Sequence, residues 1–401
     1  MFGAIAQGDT RIQNLSGGRD VLSTKRCLEQ LGVQFTLSKE EVIVHGGGRN
    51  SFVSPIAMLD CQNSGTSMRL LMAMITGQNI EATLTGDESL LKRPMKRIAE
   101  PLKRMGAEIQ LSQNEFAPVK ILKSVKLQAI DYELMIASAQ LKSALILAAL
   151  YAEGVTTLTG KIQSRDHTER MLKDFGVRLL SSQTKIKIES GQNLSATSIQ
   201  VPGDPSSAAF WLAAGTLVAN SEVEIQNVSL NPTRTGFLKV LKRMGADIET
   251  FETDSRNEPI GHMRVRSSQL KAVEILESEV ASMIDEIPML AVLATQAEGT
   301  TIIRGARELR VKESDRIDSV AFNLRRMGAR LETFQDGFAI EGPQTLKGAQ
   351  IDSALDHRIA MSFSIAALVA EGESEICDVD SVGISYPEFY SVLAKLQGTS
   401  L

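Results

Sequence analysis

The sequence predicts an α/β protein of two similar domains, residues 1–200 and 201–401, each built from three copies of one small unit. Three observations carry the prediction. The chain resembles itself at a period of about 70 residues, longer than the common solenoid periods but found by the same comparison. Two short phrases recur within each period. At Val201-Pro-Gly-Asp-Pro, Pro and Gly interrupt the pattern, with three copies before and three after.

The first phrase is a helix of small apolar residues, then Glu-Gly, then a β-branched alternation. It reads Ala148-Ala-Leu-Tyr-Ala-Glu-Gly, Ala294-Thr-Gln-Ala-Glu-Gly and Ala366-Ala-Leu-Val-Ala-Glu-Gly, with Ala6-Gln-Gly and Ile75-Thr-Gly as further copies. Helices this rich in alanine and poor in charge are expected to be buried nearly all round. The second phrase is an amphipathic helix that ends in Gly and returns as a strand. It reads Leu28-Glu-Gln-Leu-Gly-Val, Leu102-Lys-Arg-Met-Gly-Ala, Leu172-Lys-Asp-Phe-Gly-Val, Leu241-Lys-Arg-Met-Gly-Ala and Leu324-Arg-Arg-Met-Gly-Ala, with Leu393-Ala-Lys-Leu-Gln-Gly as a weaker sixth copy. Leucine and methionine at helical spacing give the buried stripe, and glycine supplies a left-handed cap. The polar helix is expected to cover the outside of each unit, and a ligand site is expected where the two domains face each other.

Composition narrows the function. Net charge is −5, aromatic residues make up 4%, and opposite charges are interspersed, so neither a nucleic-acid tract nor a membrane-surface patch is predicted. No apolar run approaches the roughly 20 residues of a membrane span, and no signal-peptide pattern opens the chain, so a cytoplasmic protein is expected. Cys27, Cys61 and Cys377 have no paired spacing, which argues against a disulfide framework or a zinc site. Gly154-Val-Thr-Thr-Leu-Thr-Gly-Lys-Ile has the wrong spacing for a phosphate-binding P-loop, and Gly46-Gly-Gly reads as a turn.

Several segments carry chemistry beyond the repeat. Asp60-Cys-Gln-Asn-Ser-Gly-Thr-Ser-Met-Arg69 puts capping residues before an apolar helix, which suits an anion or a plain cap equally. Arg93 precedes Pro94 and is expected in an extended loop, its guanidinium free to reach a phosphate or carboxylate. Ser138, Ala139 and Gln140 open a buried helix, where phosphate is the natural guest. In Ser164-Arg-Asp-His-Thr-Glu-Arg170, Arg165 is the residue reaching inward and His167 is read as structural. Asp285 stands at the mouth of an apolar helix, as a carboxylate with a task or as a cap. Leu309-Arg-Val-Lys-Glu-Ser-Asp-Arg316 reads, residue by residue, as a surface charge run. Asp356-His-Arg358 opens another apolar helix, a costly place for arginine without an anion to meet it.

Taken together, Asn63-Ser-Gly-Thr, Lys92-Arg-Pro-Met, Ser138-Ala-Gln, Ser164-Arg-Asp-His-Thr-Glu, Arg310-Val-Lys-Glu-Ser-Asp-Arg and Asp356-His-Arg-Ile-Ala-Met resemble, in order and context, the enolpyruvylshikimate-phosphate synthases. The wording Ser-Arg-Asp-His-Thr-Glu is similar to the bacterial branch called class II. The resemblance spans the chain and implies the inverse α/β barrel of that family, two domains of three βαβαββ units each. It implies transfer of the enolpyruvyl group of phosphoenolpyruvate to the 5-hydroxyl of shikimate 3-phosphate, on the route to chorismate and the aromatic amino acids. It implies no metal or organic cofactor, a monomer, and no nucleic-acid or membrane partner. Carried over by position, Ser138, Ala139, Gln140, Arg165, Asp285 and Lys312 would hold shikimate 3-phosphate, placing that substrate mainly on the first domain. Gly65, Arg93, Gln140, Arg316 and Arg358 would clamp phosphoenolpyruvate. Asp285 would act as general base and Glu313 as general acid, a role that needs a neutral carboxyl part of the time.

The sequence also departs from that pattern. Members of the family carry a Pro-Gly-Asp-Lys-Ser segment, followed by His-Arg, just before the helix that in this chain reads Met-Phe-Gly-Ala-Ile-Ala. Without it, activity is expected to be weak, since losing one charged clamp residue costs on the order of a hundredfold. Ile384-Ser385 precede Tyr386-Pro387 where some members have Lys-Thr, so no contact is assigned there. Two rivals stand beside this reading. One is a non-catalytic binding remnant. The other is UDP-N-acetylglucosamine enolpyruvyl transferase, whose loop cysteine has no counterpart in Leu90-Leu-Lys-Arg-Pro.

Overall fold

The recurring phrases fold as one supersecondary unit, seen most plainly between residues 59 and 189 of the computed structural model, which describes residues 1–123, 126–254 and 258–398. Strand Leu59–Asp60 leads into helix Gly65–Thr76 and returns as strand Ala82–Thr85, parallel to the first. Polar helix Lys96–Arg104 follows, and the hairpin Ile109–Ser112 and Phe116–Ile121 then adds two antiparallel strands. The next copy repeats the design with strand Asp131–Leu134, helix Ala139–Ala149, strand Val155–Gly160, helix His167–Asp174 and hairpin Leu179–Ser181 and Ile186–Glu189. Both sheets run in the order lead strand, return strand, second hairpin strand, first hairpin strand.

The chain divides into two compact units, Met1–Val201 and Pro202–Leu401, each with its own apolar core. In the first unit, strand Ala6–Gln13 pairs with Glu41–Gly47 on one side and, on the other, runs parallel to Leu194–Ser195 and Ser198–Gln200. The last strands of the unit thus take the lead-strand place in its first sheet and cover an edge otherwise open to pairing. In the second unit, Ala297–Ile303 is the return strand, with Leu270–Lys271 and Glu274–Ile275 parallel to it and Gly337–Gly342 antiparallel. Helices Ile287–Ala294, Arg316–Arg326 and His357–Ala367 carry Asp285, Arg316 and Arg358 at or just before their first turns.

The two helix types behave as their composition dictates. Every residue of Ile287–Ala294 is buried, as are Leu141 to Ala149, whereas Lys96–Arg104 buries only Ile98, Ala99, Pro101 and Leu102. The capping glycines Gly32, Gly106, Gly176, Gly245 and Gly328 have φ between 81° and 100°, which other L-residues adopt only at a cost. The sixth, Gly398, has φ 72°, and the strand expected after it lies outside the described residues. Among the glycines of the first phrase, Gly8, Gly154, Gly299 and Gly372 are also left-handed and one is not. Gly77 has φ −74°, and the left-handed residue is Asn79 at 51°. Asparagine tolerates that region, and Gly77 instead makes room for the Tyr151 ring, which a methyl there would overlap.

Candidate active site

In the first unit, two helix starts and one loop converge. Ser64 caps helix Gly65–Thr76 by accepting from the Ser67 amide, and Asn63 just before it turns toward Arg93. The Asn63 Oδ1 and carbonyl accept from the Arg93 guanidinium at 2.6 and 3.2 Å, and Ser89 Oγ accepts at 3.2 Å. The expectation of a free guanidinium is therefore corrected. Arg93 does lie in the loop before Pro94, but it folds back and is only 6% exposed. Its terminal N–H groups lose water there and take protein acceptors instead.

Gln140 is held at both ends of its amide. Arg69 Nη1 donates to Oε1 at 2.6 Å, and Nε2 donates to Thr66 Oγ1 at 2.9 Å. Arg69 Nη2 also donates to the Pro94 carbonyl at 3.2 Å, so one guanidinium joins Gln140 to the Arg93 loop. A methyl at Gly65 would sit 3.1 Å from Arg69 Nη1 and 3.4 Å from Arg93 Nη1. Ser138 caps helix Ala139–Ala149 through the Leu141 amide, and Ser138, Ala139 and Gln140 are partly accessible at its positive end. Arg165 is half-buried in the loop before helix His167–Asp174.

In the second unit the centre is Arg316, 1% exposed. Its Nε and Nη2 donate to Asp356 at 2.8 and 3.2 Å, Nη1 to Asp285 at 3.1 Å, and Nη2 to Glu313 at 2.7 Å. Lys312 Nζ donates to the same Asp285 oxygen at 3.0 Å. The run ending at Arg316 is thus no surface charge patch, because its last residue turns inward at the start of helix Arg316–Arg326 to meet carboxylates. Arg310 also turns back, donating to the Gln335 and Phe334 carbonyls. Asp356 is fully buried and caps helix His357–Ala367 by accepting from the Arg358 amide at 2.9 Å. Asp285 lies in a single 3-10 turn, Ile284–Glu286, that runs straight into Ile287–Ala294.

Burial would lower the Arg316 pKa, but Asp356, Glu313 and Asp285 more than offset it and keep the guanidinium above its ordinary value. Burial raises Asp356, and Arg316 reverses that, holding the carboxyl below its usual range. Burial first and Arg358 second push His357 down to about 4, so it is neutral at pH 7. The Asp285 and Glu313 side chains remain partly accessible, at 14% and 18%. Two reachable carboxylates beside fixed cations suit proton transfer next to an anion.

Gly65, Arg93 and Gln140 are therefore gathered in one unit, and Asp285, Lys312, Glu313 and Arg316 in the other, with Arg358 joined to the latter through Asp356. Sequence reasoning missed Arg69 and Lys142. Each is a lone charge in a helix otherwise buried, which by itself signals a partner, because such a charge is seldom buried unpaired. It also missed Arg234, which donates to Asp204 and Ser206 at 2.7 Å each, beside the buried Ser206–Glu286 hydrogen bond.

The family model described as EPSP synthase (3-phosphoshikimate 1-carboxyvinyltransferase) matches residues 1–393. A 3-phosphoshikimate 1-carboxyvinyltransferase of Bacillus licheniformis is 49% identical over 399 residues, 99% of this chain and 93% of that protein. One of Bacillus subtilis is 49% identical over 403 residues, covering 100% of this chain and 94% of its own length. Among solved structures, an EPSP synthase from Acinetobacter baumannii superposes with a TM-score of 0.86 at 42% identity, over 99% of this chain and 92% of that one. The enolpyruvyl transferase NikO from Streptomyces tendae gives a TM-score of 0.76 at 18% identity, over 98% of this chain and 90% of its own, a likeness of fold alone.

Proposed function

The chain belongs to the EPSP synthase family, and from that premise we infer which residues carry the transfer of the enolpyruvyl group from phosphoenolpyruvate to the 5-hydroxyl of shikimate 3-phosphate. Ser138, Ala139, Gln140 and Arg165 hold shikimate 3-phosphate on the first unit, with Lys312 assisting. The backbone at Gly65, Arg93, Gln140, Arg316 and Arg358 take the phosphate and carboxylate of phosphoenolpyruvate. Arginine suits this work because its planar fork meets both groups with paired hydrogen bonds. Asp285 accepts the 5-hydroxyl proton as its oxygen bonds to C2 of phosphoenolpyruvate, while Glu313 delivers a proton to C3. The tetrahedral adduct then returns a C3 proton to Glu313, the C3–H electron pair forms the C2–C3 double bond, and the C2–O bond to phosphate breaks, releasing inorganic phosphate and leaving the enolpyruvyl ether.

The observation that carries this reading is the double engagement of Arg316 with Asp285 and Glu313. An incoming anion that takes over Arg316 loosens its hold on both carboxylates at the moment the substrate arrives, leaving Asp285 with Lys312. That exchange suits the reaction, since four of the five Arg316 N–H donors are engaged by Asp285, Glu313 and Asp356. Phosphate release from the two substrates, measured with Asp285→Asn and Glu313→Gln, tests the assignment. Each variant should lose about 10²- to 10⁴-fold in kcat, with Glu313→Gln retaining calorimetric binding of shikimate 3-phosphate. Release at the parent rate from both variants would rule out Asp285 as base and Glu313 as acid.

A monomer in the cytoplasm goes with this reading. Among the described residues no helix is long and apolar enough to cross a membrane. A dimer mass in light scattering would contradict the monomer.

A further inference from the structure

Helix Ala139–Ala149 is apolar after Gln140 except at Lys142 and Ser143, and both of those side chains meet the segment between Ile162 and Glu169. Lys142 is 1% exposed and sits one turn beyond Ser138. Its ammonium meets Glu169 Oε1 at 2.6 Å, the Ile162 carbonyl at 3.2 Å and the Ser164 carbonyl at 3.3 Å. Those three partners use all three donors of a lysine. Glu169 is itself 5% exposed, in the first turn of helix His167–Asp174. Beside it, Ser143 Oγ and Thr168 Oγ1 are 2.6 Å apart, both buried. The loop is therefore fastened at Ile162 and Ser164 before Arg165, and at Thr168 and Glu169 after it.

We propose that the Lys142–Glu169 pair is a positioning clasp: it holds the Arg165 loop against the helix whose first turn carries Ser138, Ala139 and Gln140, and so sets the affinity for shikimate 3-phosphate. The proposal rests on the assignment of those four residues to that substrate. Two features favour positioning over simple stabilisation. Replacing a buried ion pair by apolar side chains of similar size is often neutral or stabilising, so stability alone gives little reason for one at this position. An apolar side chain at position 142 would fill the space but could not grip two loop carbonyls, which fix where Arg165 leaves the backbone. A guanidinium displaced by about 1 Å no longer keeps both of its paired contacts with a phosphate.

The double variant Lys142→Met with Glu169→Met removes the clasp without leaving a lone buried charge. Calorimetric Kd for shikimate 3-phosphate, kcat at saturating substrates and the thermal midpoint are measured for it beside the parent protein and Arg165→Met. The expected result is a Kd raised at least tenfold, kcat changed less than threefold, and a midpoint within a few degrees of the parent. A double variant that binds shikimate 3-phosphate as the parent does would overturn the clasp. If the double variant does not fold, Ser143→Ala with Thr168→Val loosens the same loop more gently; it should raise Kd at least threefold, and an unchanged Kd would count against the proposal equally. The underlying site assignment fails separately, and visibly, if Arg165→Met leaves binding intact.

Discussion

Replacing Arg316 by methionine tests the core of the second unit's charge cluster. Methionine fills most of the volume, so the change is chiefly electrostatic. Four hydrogen bonds to three carboxylates disappear, two of them to the fully buried Asp356. Removing one partner of a buried ion pair costs about 3–5 kcal/mol. Asp356 keeps donors from Ser314 and the Arg358 amide, and Asp285 keeps Lys312, which places the expected loss near the lower end of that range. The sign of its pH dependence follows from Asp356. In the parent its folded pKa lies below the usual value, so that contribution is fully present above about pH 4 and is lost as pH falls through the folded pKa. Without Arg316, burial raises the Asp356 pKa, and protonation relieves the penalty. The gap between parent and variant is therefore widest near pH 7 and narrows toward pH 4. The single tryptophan, Trp211, is buried in the second unit against Phe389 and reports that unit's urea unfolding by fluorescence. Unfolding free energies within about 0.5 kcal/mol at pH 7, or a gap that widens on acidification, would refute the reasoning.

Two further outcomes follow from the same geometry. Gly65→Ala brings a methyl against the Arg69 and Arg93 guanidinium ends, which must shift by a few tenths of an ångström; the KM for phosphoenolpyruvate should rise about tenfold while the Kd for shikimate 3-phosphate changes less than twofold, as steady-state kinetics and calorimetry would report. His357 titrates near 4 when folded and near 6.5 when unfolded, so the unfolded chain binds the extra proton between those values and stability falls as pH drops through that window. The whole effect is roughly 3 kcal/mol; His357→Asn should flatten that limb of the stability curve, and an unchanged slope by Trp211 fluorescence would contradict it.

The local design of this protein is legible in its residues. Leucine and methionine spacing, alanine-rich stretches and a glycine after each polar helix dictate helix, cap and strand, because those signals act within one or two turns of chain. Ser138 to Gln140, Asp285 and Arg358 stand out because polar residues at the mouths of apolar helices conflict with the repeat around them, and Arg165 because it precedes an outer helix, whereas Lys312 and Glu313 read as surface charge until the family resemblance singles them out. The closing of the first sheet by residues 194–200 depends on pairing between strands almost 190 residues apart, and short strands carry no sequence mark of a distant partner. The same holds for the charges. Arg93 looks free and Arg316 looks solvated until the fold removes water from both, and which acceptors then satisfy their fixed donors is decided by elements far apart in the chain. Residue type thus determined what each segment could do, and packing alone determined which buried charge had to meet which, since desolvation is a property of the folded surroundings and not of the residue.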